Sequence, residues 1–65
     1  MIKTAIRFQN NMVGVFDRKG EQIPEYQGQY EAVKEGVLRD APPHAIFAHC
    51  FNHATELTAV SRREW

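Results

Sequence analysis

The chain has 65 residues, eight basic and eight acidic side chains, and a formal net charge of +0 at pH 7. Domains of this size bury only about 60% of the surface their unfolded chain exposes, so residues 1–65 should form one domain with one modest core. That size disfavours a deep cofactor-enclosing cavity, and overall neutrality argues against strong nonspecific nucleic-acid binding.

Cys50 is the single cysteine, so no intrachain disulfide forms, which suits a reducing compartment. The opening residues lack a continuous apolar signal region, and no apolar run is long enough to cross a bilayer. A cytoplasmic location without a membrane partner is the expectation.

At the start of the chain, Ile2, Ile6 and Phe8 alternate with Lys3, Ala5 and Arg7, the period-two pattern of a half-buried strand. Gln9-Asn10-Asn11 suits a tight turn, and Met12 to Phe16 resumes strand character, so a hairpin is expected. Asp17-Arg18-Lys19-Gly20 marks a second turn, and Glu21-Gln22-Ile23 offers a short third strand ended by Pro24.

Residues 27–40 read as a helix. Tyr26, Tyr30, Val33 and Val37 make one apolar stripe, broadened by Leu38 and Ala41. Glu31, Lys34, Glu35 and Arg39 fall on the outer side, with Glu35 and Arg39 spaced for an i,i+4 attraction. Pro42-Pro43 stops the helix.

Ala45 to Phe51 is apolar on both parities, as expected of a strand buried on both sides. Asn52-His53 suits a turn, and residues 55–60 have strand propensity. Ser61-Arg62-Arg63-Glu64 fits a capping box, with Trp65 placed to dock its indole. The expected fold is α+β: a four- or five-stranded antiparallel or mixed sheet with one central helix on one face, in the order β-β-(β)-α-β-β. One helix covers one face. The other face is then polar, or apolar and covered by a partner, which motivates a homodimer.

His49, Cys50 and His53, with His44 nearby, are the compact group of metal-ligating residue types. On a strand, His49 and Cys50 point to opposite faces, so neither a metal site nor a cysteine nucleophile is assigned. Nor does anything bring His53 and Glu56 together around a substrate. The favoured function is protein binding or assembly without intrinsic catalysis and without a cofactor. Its contact residues would be Phe47, Phe51 and Trp65. The alternative is a nucleic-acid-binding accessory protein using Lys3, Arg7, Arg18 and Lys19, and a small Cys/His enzyme or metal-binding protein ranks below it.

Overall fold

The opening alternation forms an antiparallel hairpin, β1 (Thr4–Phe8) and β2 (Met12–Phe16), in a computed structural model that describes residues 1–51 and 56–65. Asn11 closes its turn at φ 66°, a left-handed conformation that asparagine tolerates better than most residues. The Asn10 side-chain oxygen accepts the Met12 N–H at 3.0 Å. The second turn is built on Asp17, whose carboxylate accepts the Lys19 and Glu21 N–H groups at 2.8 and 3.0 Å. Gly20 supplies the positive φ of 83° that this turn requires.

The third strand lies later than the expected residues 21–23. Those residues contribute an isolated bridge between Phe16 and Gln22, while β3 is Gly28–Gln29, paired with Val13 and Met12. Gln27 explains the shift. Its side-chain amide accepts the Val15 N–H at 3.2 Å and donates to the Val15 and Ile23 carbonyls at 2.8 and 2.7 Å. One side chain thereby completes the edge of β2 as a backbone peptide would. Pro24–Tyr26 forms a 3-10 turn ahead of it, with proline at a position that needs no N–H.

The helix α1 spans Tyr30–Asp40, starting three residues later than the stripe suggested because Gly28 and Gln29 are held in the ladder. Tyr30 and Val37 are its buried residues, with Val33 and Leu38 packed against the same core. Arg39 pairs with its neighbour Asp40 at 3.0 Å rather than with Glu35. The helix C-terminus is capped from a distance. The Arg62 guanidinium donates to the carbonyls of Leu38, Ala41 and Pro42 at 3.1, 3.2 and 2.6 Å, satisfying acceptors that a helix end leaves open.

Among the described residues, β4 (Ile46–Cys50) and β5 (Thr58–Val60) complete a five-stranded mixed sheet of order β3-β2-β1-β4-β5. β1 and β4 run parallel and the other pairs antiparallel. A parallel pair requires a long crossover, which the path through β2, β3 and α1 provides. The expected turn at Asn52-His53 and the start of the last strand at residue 55 lie outside the described residues.

The sheet is apolar on both faces. Ala5, Val13, Val15 and Phe47 face α1, joined by Ile2, Tyr30, Val37, Ala41 and Trp65. Ile6, Ala48 and Cys50 form a second cluster on the opposite face, covered in part by Phe8 and Phe16. The opening alternation is therefore divided between faces: Ala5 takes the fully buried helix side, and Ile6 and Phe8 turn the other way. β1 is the middle strand of the sheet, so both of its faces bury side chains.

Trp65 joins the layers. Its indole is 2% exposed, stands edge-on to Tyr30 and Phe47 at centroid distances of 5.4 and 5.1 Å, and donates through Nε1 to the Ala48 carbonyl at 3.1 Å. The capping box folds the segment that delivers it: Glu64 N–H donates to Ser61 Oγ at 3.2 Å, and the Ser61 N–H and hydroxyl meet the Glu64 carboxylate. Trp65→Ala should cost about 3–5 kcal/mol, a large share of the stability of so small a domain. Urea unfolding followed by far-UV circular dichroism checks this. A midpoint unchanged from wild type would show that the indole carries no such weight.

Candidate functional site

Two surfaces stand out once the layers are assigned. The first is the sheet face opposite α1. The register sets Phe16, Thr4 and Ile46 side by side, then Gly14, Ile6, Ala48 and Ala59 in the next row, with Phe8 beside Cys50. None of these strand positions carries a charge. Gly14 lets Phe8 and Phe16 lie across the sheet: a Cβ there would meet Phe8 Cε2 at 3.3 Å and Phe16 Cε1 at 3.4 Å. Met12 and Ile46 remain 38% and 45% exposed. A shallow depression of about 320 Å³ lies against Phe8, Met12 and Cys50.

The second surface is at the C-terminal ends of β1 and β4, around Arg7. Its guanidinium lies 3.6 Å from the Tyr30 ring centroid and 5.9 Å from that of Phe51. Nε donates to Asn11 Oδ1 and Nη1 to the Trp65 main-chain oxygen, both at 3.0 Å. His49 reaches the same Trp65 oxygen at 3.3 Å, which requires a proton on Nε2, and stacks on Phe51 at 4.4 Å. Lys34 approaches Tyr30 at 5.2 Å.

The residues expected to make partner contacts separate accordingly. Phe47 and Trp65 are core residues, 3% and 2% exposed, with the Arg62 guanidinium 5.0 Å from the Phe47 ring centroid. Phe51 is 37% exposed and belongs to the Arg7 surface. The exposed apolar residues Met12 and Ile46 were missed because their strand parity, which faces them away from α1, follows from the pairing and not from composition. The four cations divide too. Arg7 is turned toward Tyr30, whereas Arg18 and Lys19 lie in the turn beyond the other end of β1, with Lys3 before its first residue. Along the strand, Arg7 and that turn are about 15 Å apart by residue rise, so the cations make no single stripe.

His49 faces the helix side and Cys50 the opposite cluster, as their parity requires. His53 lies outside the described residues. Among the described residues, no three His, Cys, Asp or Glu side chains gather as a metal site, and no helix is long and apolar enough to cross a membrane. His49, Phe51, Glu56 and Thr58 line a small cleft of about 190 Å³ next to the Arg7 surface.

Electrostatic shifts mark structural joints. Hydrogen bonds from the Glu21 and Lys19 backbone hold the Asp17 carboxyl below its ordinary 3.8. Arg39, then the Tyr26 hydroxyl, lower that of Asp40. The hydrogen bond to Asp40 raises the Tyr26 hydroxyl above its ordinary 10.0. Comparison of the chain with family models, with curated proteins and with solved structures returned no match.

The Tyr26–Asp40 link ties the 3-10 turn to the end of α1, and its pH window follows from the two directions. A lowered carboxyl favours the fold above pH 3.8 and loses that contribution as pH falls through the folded value. A raised phenol contributes below pH 10.0 and loses it as pH rises through its own folded value. Tyr26→Phe should move the Asp40 titration up toward 3.8 without reaching it, because Arg39 remains. Carbon-detected NMR titration of the Asp40 carboxyl reads the change; an unmoved curve would mean the hydroxyl is not bonded there.

Proposed function

We propose that the protein is a small binding and assembly module that associates with a second copy of itself through the sheet face opposite α1, without intrinsic catalysis. The observation that carries this reading is the exposure of Met12 and Ile46 on a face whose strand positions hold no charge. Two such faces related by a two-fold axis meet without like-charge repulsion, and each presents the same apolar rows to the other. Phe8 and Phe16 supply the broad contacts and Ile46 an exposed side chain at the border of the patch. The reading places the protein in the cytoplasm, where the buried Cys50 thiol stays reduced.

Size limits the affinity. Three strands of five residues with edge strands of two and three, about 4.8 Å apart, offer a footprint of roughly 300 Å². Two faces then remove about 600 Å², short of the roughly 1,200–2,000 Å² typical of stable specific complexes. The dimer should be weak and concentration-dependent, with a Kd of order 100 μM, or about −5.5 kcal/mol.

Sedimentation velocity over a concentration series tests this. The 7.5 kDa chain should shift toward twice its mass as concentration rises, and Ile46→Lys should remain monomeric at every concentration. Ile46 is 45% exposed, so lysine is accommodated in the monomer and loss of association is not loss of fold. A wild-type chain that stays monomeric up to about ten times the expected Kd would sink the reading.

A further inference from the structure

We propose that the cleft at the C-terminal ends of β1 and β4 is a binding site for a carboxylate carried on a flat apolar body, with Arg7 as the anion-binding group and Phe51 as the stacking wall. The proposal does not rest on association through the opposite sheet face, although the cleft shares Phe8 with that face. Arg7, Phe8, Gln9, Asn11 and Phe51 line a cleft of about 510 Å³.

The case rests on what is left over after Arg7 has made its structural contacts. Nε is committed to Asn11 and Nη1 to the Trp65 main-chain oxygen, while Tyr30 supports the guanidinium plane. Nη2 has no hydrogen-bond partner among the described residues. Among them, moreover, no buried side-chain nitrogen or oxygen lacks a partner, so Nη2 is not fully buried. A guanidinium held in place on two nitrogens and one face therefore keeps a third nitrogen uncommitted beside a cleft that Arg7 lines. Its side-chain entropy is already lost in the free protein, which is the condition under which an arginine binds an oxyanion with little further ordering.

The surrounding chemistry selects the anion. The side chains that hold Arg7 are the uncharged Tyr30 and Asn11, and among the described residues no Asp or Glu side chain pairs with it. The single charge of one guanidinium balances a carboxylate of charge −1, whereas a phosphate monoester, at about −1.5 to −2 at neutral pH, is left with excess charge there. Asn11 accepts from Arg7 through Oδ1, which leaves its amide nitrogen as a second donor, and Gln9 adds another amide to the lining. Phe51 is 37% exposed and backed by His49, which stacks at 4.4 Å with an interplanar angle of 17°. A ring laid against the outer side of Phe51 extends that stack, with its carboxylate directed at Nη2.

The test is an NMR titration with benzoate, alongside benzamide as the neutral isostere and phenyl phosphate as the more highly charged analogue. Benzoate should shift the Arg7 Nε–H, the Asn11 side-chain amide and the Phe51 amide together, saturating with a Kd of millimolar order. Benzamide and phenyl phosphate should each bind about fivefold or more weakly. Phe51→Ala should weaken benzoate about tenfold while leaving resonances of the helix-side core in place, so the site fails without the fold failing. The proposal is overturned by an absence of saturable shifts at Arg7, by benzoate affinity unchanged in Phe51→Ala, or by benzamide binding as well as benzoate. Tighter binding of phenyl phosphate would overturn the carboxylate assignment.

Discussion

The insertion of Trp65 between α1 and the sheet is the interaction on which the rest of this small structure depends. The indole touches Tyr30 on the helix and Phe47 on β4, and its N–H finds the Ala48 carbonyl, so one side chain bridges both layers and leaves no buried donor unpaired. The same short segment sends Arg62 to the open carbonyls at the end of α1. Packing and capping are therefore delivered together. A domain of this length has little core to spare, and removing the segment would uncover the Phe47 side of the sheet while orphaning the helix terminus.

The sheet meets a different demand on its other face. With α1 and Trp65 on one side, the residues of opposite parity have only each other. Gly14 makes a partial solution: two phenyl rings lie over the strand and shelter Ile6, Ala48 and Cys50. Coverage stops at the borders, where Met12 and Ile46 remain open. The exposed apolar surface is thus a consequence of placing one short helix on a sheet of five strands. The helix spans eleven residues, about 16 Å, and it lies on one side of a sheet that is apolar on both.

Much of the architecture was legible in the residues. Period-two alternation marked the first hairpin, the Tyr30–Val33–Val37 stripe marked α1, and Pro42-Pro43 marked its end. The two-sided apolarity of β4 pointed to a sheet with two buried faces. What the pattern could not convey was pairing. Nothing in the composition of β1 and β4 distinguishes parallel from antiparallel neighbours, and the face assignment of Ile6, Phe8 and Arg7 rests on that pairing. Gln27 was also hidden, because a side-chain amide standing in for a strand backbone leaves no periodic trace. Phe47 and Trp65 have the composition of contact residues and of core residues alike; only their enclosure by Tyr30 and Arg62 separates the two roles.

The two candidate surfaces are linked through β1, and the link is geometric. Along Thr4–Phe8 successive side chains serve different purposes: Ala5 fills the helix-side core, Ile6 and Phe8 form the open face, and Arg7 holds Trp65 and lines the cleft. A slip of one residue would exchange all of these assignments, setting the Arg7 charge among Phe16 and Ala48 and pressing Phe8 against the Trp65 main chain. Pairing on both sides of β1, antiparallel with β2 and parallel with β4, holds it against that slip. Arg7 therefore acts first as a register marker, since its charge is tolerated on one parity only. An uncommitted donor at the end of β1 is then a by-product of fixing the strand, and the same geometric necessity that closes the fold creates the cleft.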